Sequence, residues 1–334
     1  MNALLATDYT SDAAWQRDLD TIFGRSWLCA GHAGRIVNPG DALAVQVCDR
    51  PLVFVRQPDG TVRGLYNVCQ HRAAPVVWGG EVKRDCRQLI CRYHGWAYGL
   101  DGRCLARPGM PKGTVTPGLR TVATREWSGL LFVSFSGHPP DFDAFIAPFA
   151  TACSGALNAD WDVGEVVRHE MACNWKVYVD NYLEGWHIPF VHPSLSQEVD
   201  MRTYRVVPGI GFATHHADTR PESDAVNDGF WGWLWPNVAV NVYRSGMSLE
   251  RIVPLAKDRT AIEYTYLFAN DASADERHQL QAMSQQTTQE DARIVEAVHL
   301  GLASGVVPQG PLSPLHEHAV HAFHQQCRDA WAAP

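Results

Sequence analysis

Two short segments constrain this chain more than anything else in it. Cys69-Gln70-His71 and Cys91-Arg92-Tyr93-His94 each put one cysteine and one histidine into a single turn of backbone. A fold that uses them must bring the two turns together, so that two thiolates and two imidazoles face one centre. A zinc finger draws on the same ligand types, but it pairs Cys with Cys and His with His. One of each per loop suits a [2Fe–2S] cluster in which two thiolates hold one iron and two histidines the other. Ligand chemistry alone leaves a two-Cys, two-His zinc site open.

A second constellation lies downstream, in Asp180-Asn-Tyr-Leu-Glu184-Gly-Trp-His187-Ile-Pro189-Phe-Val-His192. Glu184 and His187 stand three apart and share a face if the segment is helical. Pro189 is then placed to end that helix and turn His192 back toward His187. Two neutral imidazoles beside a carboxylate form a metal-site pattern, although on spacing alone ordinary half-buried histidines fit as well.

At 334 residues, 46% hydrophobic and 19% charged, the chain has room for one large or two ordinary domains with a real core. The net charge of −8 and the lack of any Lys/Arg run leave no electrostatic footprint for nucleic acid or an anionic membrane surface. The first residues lack a basic, then apolar leader pattern and no segment approaches a membrane span, so the expected location is the cytoplasm. Nine cysteines, odd in number and unevenly spread, fit metal ligation and buried thiols better than a disulfide framework.

In chain order, residues 11–28 read as an amphipathic helix with Trp15, Leu19, Ile22 and Phe23 on its apolar stripe. Residues 40–135 carry short β-type runs (42–47, 52–55, 130–135) between turn signals at Pro39-Gly40-Asp41, Asp59-Gly60 and Asp101-Gly102. Residues 139–160 look like a connector. Runs at 234–243, 248–253 and 261–268 suggest an antiparallel sheet, followed by a long helix at about 273–302 opened by a Ser273/Glu276 capping box. The expected class is α+β, with a small all-β domain at 39–155 and a second domain made of 1–38 and 156–334.

With these motifs the chain resembles the Rieske non-haem iron oxygenases, in particular their catalytic α subunits, a group spanning aromatic ring-hydroxylating dioxygenases and choline and betaine monooxygenases. Cys69-x-His71 with Cys91-x-x-His94-Gly-Trp is similar to the family's cluster motif, although the gap at 72–90 is on the long side. Asn181-x-x-Glu184-x-x-His187-x-x-x-x-His192 is similar to its iron motif, and Ile22-Phe23-x-x-x-Trp27, Asn67-x-Cys69 and Trp235-Pro236-Asn237 look like further landmarks. The resemblance implies a Rieske domain and a helix-grip catalytic domain with an antiparallel sheet and a long C-terminal helix. It implies a [2Fe–2S] cluster on Cys69, His71, Cys91 and His94 and a mononuclear Fe(II) on His187, His192 and a distant carboxylate. The long helix offers Glu290 and Asp291. Asp291 shares a stripe with Val295, Val298 and Leu302 and is the choice, with Glu290 left open.

The resemblance further implies that Glu184 bridges a cluster histidine of one subunit and an iron histidine of its neighbour, with Asn181 near the iron. It implies a homotrimer, fed with electrons by a separate NAD(P)H-dependent reductase or a ferredoxin, that uses O2 to hydroxylate or oxidatively demethylate a small aromatic or N-methylated substrate. Ring cis-dihydroxylation is the sibling reading, and a Rieske electron carrier without oxygenase activity is the rival from another class. Trp231, Trp233 and Trp235 would share a face of an extended segment, as a cage for a methylated ammonium, a slot for an aromatic ring, or core packing.

Overall fold

A computed structural model describes residues 2–79, 82–218 and 229–333. The remaining positions of the expected domains, including residues 80 and 81 in the long gap between the Cys/His turns, lie outside the described residues. The chain separates into two compact units, residues 27–139 and residues 1–26 with 140–334. The first edge differs from the sequence-based one at 39 because Trp27 and Leu28, read as the end of a helix, open a strand that pairs with the last strand of the smaller unit; the second falls at 139, not 155, because the helix at Phe142–Ala152 belongs to the larger unit.

That smaller unit is all β. Its strands are β1 (Trp27–His32), β2 (Ala42–Val47), β3 (Arg50–Arg56), β4 (Val62–Tyr66), β5 (Val82–Lys83), β6 (Leu89–Ile90), β7 (Ala97–Tyr98), β8 (Cys104–Ala106), β9 (Thr121–Trp127) and β10 (Leu130–Ser134). Seven of them form an antiparallel sheet in the order β1-β10-β9-β4-β3-β2-β5, and β6-β7-β8 form a separate three-stranded sheet. The β9–β10 hairpin turns on Gly129 at φ +78°, where a Cβ would strike the ring of buried His32, so only glycine fits.

The larger unit begins with α1 (Ala6–Thr10) and α2 (Asp12–Arg17), which runs into a π-helical segment at Asp18–Phe23. The helix expected over 11–28 is thus a continuous run from Asp12 to Phe23 that changes from α to π at Asp18 and stops short of Trp27. Its register is set by Asp18, fully buried, which accepts from the indole nitrogens of Trp175 (3.0 Å) and Trp331 (2.9 Å) and pairs with the Lys176 ammonium. The expected connector holds α3 (Phe142–Ala152), capped by the Asp141 carboxylate on the Ala144 N–H. Then come β11 (Asp162–Met171), α4 (Trp175–Tyr182), α5 (Ile188–Val191), α6 (Pro193–Glu198), β12 (Arg205–Gly209) and β13 (Phe212–His216). β14 (Phe230–Leu234), β15 (Val238–Tyr243), β16 (Gly246–Ala256), β17 (Arg259–Phe268), α7 (Ala274–Ala303) and α8 (His318–Ala332) complete it.

The seven strands pair in the order β11-β17-β16-β15-β14-β13-β12, antiparallel throughout. The single strand expected at 234–243 is divided by a turn through the cis Trp235–Pro236 peptide. Helix α7 carries the expected capping box, with Ser273 and Glu276 bonded reciprocally. Its buried positions are Leu280, Thr288, Asp291, Val295 and His299, so His299 rather than Val298 continues the inward stripe. No helix among the described residues is long and apolar enough to cross a membrane.

Candidate metal centres and the cavity beside them

In the smaller unit, each Cys/His turn is closed by its own backbone. The Cys69 carbonyl accepts from the Ala73 N–H and the Cys91 carbonyl from the Gly95 N–H, while the Cys91 N–H donates to the Trp96 carbonyl at 2.8 Å. Asn67, on the other side of the first turn, accepts from the Val76 and Val77 N–H groups and donates to the Val77 carbonyl. Three bonds from one buried amide fix where Cys69 points. Both cysteines are 2% exposed and belong to the unit's apolar core. Tyr98, whose phenol burial keeps protonated, sits 3.2 Å from the Cys69 sulfur.

His71 and His94 are exposed, with ring centroids 4.6 Å apart, and His71 stacks on Trp96. Two thiols lie inside and two imidazoles outside. This segregation fits a group with two metal atoms, one held by sulfur and one by nitrogen, better than a single ion.

The downstream stretch departs from the expected helix. α4 ends at Tyr182, a turn follows, and His187 stands at the start of α5 with Pro189 inside that helix's first turn. Pro189 therefore begins a helix instead of ending one, which its fixed φ and missing N–H allow. Gly185 permits the turn, because a Cβ there would run into the Tyr204 ring. Glu184 and His187 meet through this turn: Glu184 accepts from the backbone N–H groups of Trp186 and His187 and lies 2.5 Å from His187 Nδ1.

His187, His192 and Asp291 come together. Among the described residues, one ligand atom of each lies within 4.8 Å of the other two. His192 Nε2 is 3.0 Å and His187 Nε2 3.8 Å from Asp291 Oδ1. Each imidazole turns its Nδ1 to another carboxylate, His187 to Glu184 and His192 to Glu290 at 2.8 Å. The acceptor on Nδ1 sets the tautomer and aims Nε2 inward, the usual support for a metal-binding histidine. Asn181 donates to Asp291 Oδ1 at 2.7 Å. Of the two acids left open by the sequence, Asp291 faces the three-donor cluster and Glu290 backs one of its histidines. Burial opposes a charge on His192, but the hydrogen bonds and charges of Asp291 and Glu290 prevail and raise its pKa. Two histidines and a carboxylate on one side fit a non-haem iron with open positions.

The cluster borders a cavity of about 130 Å³ lined by side chains of α4, α6, α7 and the sheet. Tyr182, Tyr204, Trp231 and Tyr243 give it an aromatic wall. Burial raises the three tyrosine pKa values, so these phenols stay neutral. Glu250 and His215 also line it, and neither was singled out by sequence; burial drops His215 to about 3, leaving it neutral. Of the tryptophan trio, only Trp231 reaches the cavity. Trp233 and Trp235 pack on each other and on Phe323 of α8, a helix the sequence reading did not assign.

Residues 26–124 match the Rieske [2Fe-2S] domain, and residues 158–333 match the ring hydroxylating alpha subunit (catalytic domain). The chain is 28% identical to the carnitine monooxygenase oxygenase subunit of Escherichia coli (strain K12), over 95% of its own length and 90% of the relative's. It is 27% identical to the chloroplastic choline monooxygenase of Beta vulgaris, over 96% of its length and 75% of the relative's. Among solved structures, a quaternary ammonium Rieske monooxygenase shares the fold at a TM-score of 0.89 and 23% identity, covering 98% of this chain and 95% of that one. Because the catalytic-domain match alone spans more than half of its residues, this chain belongs to the ring hydroxylating alpha subunits, the oxygenases that join a Rieske cluster to a mononuclear iron.

Proposed function

We propose that this protein is the oxygenase component of a monooxygenase that hydroxylates or oxidatively demethylates a small N-methylated compound. The observation that carries the reading is the convergence of His187, His192 and Asp291 at the edge of an aromatic-walled cavity. The resemblance to carnitine and choline monooxygenases supports the substrate class. A separate reductase supplies electrons. In the overall reaction one oxygen atom of O2 enters a C–H bond of the substrate, and the other leaves as water with two electrons and two protons from the donor side. Insertion at an N-methyl carbon gives a carbinolamine that releases formaldehyde.

In this reading Cys69, His71, Cys91 and His94 hold the cluster and His187, His192 and Asp291 the iron. When bound, these groups supply one-electron transfer and oxygen activation. The chain's own residues orient and exclude. Glu184 and Glu290 keep both imidazoles aimed inward, Asn181 fixes one oxygen of Asp291, and the aromatic wall keeps bulk water from the substrate. The accessible edges of His71 and His94 and the placement of Glu184 on His187 Nδ1 support a homotrimer in which Glu184 accepts from a neighbouring subunit's cluster histidine. The buried Cys69 and Cys91 thiols that would hold the cluster suit a reducing compartment, which supports a cytoplasmic location.

A single turnover tests the reaction. Anaerobically reduced protein is mixed with isotopically heavy O2 and a panel of N-methyl amines, betaines and aromatic acids, with products read by mass spectrometry. One heavy oxygen in the product, or formaldehyde with loss of a methyl, is expected. Two heavy oxygens on a ring would replace the reading with dihydroxylation, and oxygen reduction with no labelled organic product from any compound would sink it.

A further inference from the structure

The cavity has a charge of its own, away from the metal-ligand cluster. Strand register sets Trp231 opposite Asn241, Asn241 opposite Ser248, and Glu250 opposite Tyr264. Side chains alternate along each strand, so these residues leave the sheet from one face and line the cavity together. Glu250 is 2% exposed and accepts from the Tyr178 hydroxyl at 2.6 Å and from Asn241 Nδ2 at 3.3 Å. Burial pushes its carboxyl up to about 7, against the hydrogen bonds from Tyr178 and Asn241.

No lysine or arginine is among the described residues that line the cavity. Glu198, next to the lining residue Val199, is a second acid raised by burial, and its Oε2 meets no donor. His215, the basic side chain facing Glu250's cavity apart from the metal-cluster histidines, stays neutral. The wall also offers ring faces and edges: Trp231 and Tyr243 stand edge to face at 6.2 Å. A desolvated carboxylate without a basic partner, beside electron-rich rings, is an environment an organic cation stabilises on entry.

We propose that Glu250 and the rings of Tyr182, Trp231 and Tyr243 hold the positive head of the substrate, and that the cavity selects N-methylated cations bearing no carboxylate. The inference rests on the N-methyl monooxygenase reading and narrows it. A zwitterion would bring its anionic end toward Glu250, which already lacks a counter-charge, whereas an amino-alcohol cation brings only the charge that is missing there. The relatives named above fall on both sides of this division, so their names do not decide it.

Binding decides it independently of turnover. The metal-loaded protein is titrated, by calorimetry and by tryptophan fluorescence, with choline, tetramethylammonium, L-carnitine, and the neutral choline isostere in which a tert-butyl group replaces the trimethylammonium. Choline is expected to bind at least about 10-fold more tightly than its neutral isostere and than carnitine. In Glu250→Gln, which keeps the side chain's shape, choline affinity falls about 10- to 100-fold while that of the isostere moves less than about 2-fold. Equal binding of choline and its isostere, tighter binding of carnitine, or no binding of either cation overturns the proposal; these arms need only the wild-type protein and stand even if the variant fails to fold. A cation preference abolished by Glu250→Gln, found alongside no oxygenation of any N-methyl compound, would support the recognition site and leave the reaction reading as the part that failed.

Discussion

The two candidate metal centres of this protein are built in opposite ways. In the smaller unit, the four proposed ligands come from two neighbouring turns, the thiols are in the core and the imidazole rings are at the surface. In the larger unit, two histidines from one turn meet an aspartate 99 residues away in sequence, and the cluster opens inward on a cavity. A centre that trades electrons with other molecules is served by accessible edges, and one that must exclude water is served by walls. Local backbone turns suffice for the first. The second needs a long helix and a sheet to agree in register.

If that contrast is right, the two centres fail separately. Asp291→Ala should lower turnover by about 1000-fold or more and abolish iron at the mononuclear site, while the visible spectrum of the cluster stays unchanged. Cys91→Ala should do the reverse, bleaching the cluster and sparing the mononuclear iron in metal analysis. Loss of both centres in either variant would break the comparison. Glu184→Gln sharpens it: turnover falls about 10- to 100-fold, with both metals present by analysis and spectroscopy. If Glu184 served only to orient His187, iron affinity would fall with turnover, and a titration with Fe(II) separates the cases. Glu290→Gln, behind His192, is expected to weaken iron binding about 10-fold and to leave cluster reduction untouched.

The smallest effect is shared by both units. Burial holds His32, in the smaller unit, at about 4 and His215, in the larger, at about 3. Both pKa values lie below that of an unfolded histidine, so between pH 6.5 and these values the unfolded chain binds the proton and the folded one does not. Stability therefore falls as pH falls. From pH 6.5 to 5.5 each unit should lose about 1 kcal/mol from its histidine, seen as parallel downward shifts in calorimetric melting. A shift in one unit alone would show that its histidine finds a partner for the charged form.

The same contrast explains what was legible beforehand. That the turns of Cys69/His71 and Cys91/His94 meet was legible because the pattern is local, with one Cys and one His in each turn where a finger pairs like with like. Helical period favoured Asp291 only mildly, since Val298 of its stripe is exposed, and the resemblance added the rest; the role of Glu290 was not legible. Adjacent residues on a helix point about 100° apart, and only the position of His192 shows that Glu290 supports one of its nitrogens. The helix expected at Glu184–His187 stops at Tyr182, and the turn that replaces it passes Gly185, whose closeness to the Tyr204 ring is invisible from sequence. The cavity floor was the least legible part. Trp231, Asn241, Ser248, Glu250 and Tyr264 become neighbours only through strand register. Trp233 and Trp235, which looked like candidates for the same wall, are claimed by Phe323.

Helix α7 presents Met283, Thr287 and Asp291 to the cavity, each one turn beyond the last. Substrate shape and iron geometry are therefore written on one rigid rod, with the mutable end separated from the immutable one by about 12 Å of helix. A lineage can change what it eats by exchanging residues at 283 and 287 without disturbing Asp291. It cannot insert or delete a residue between them, because a 100° rotation would carry the aspartate away from its histidines. Descendants of this protein should accordingly diversify by substitution along that row, and length changes should accumulate elsewhere.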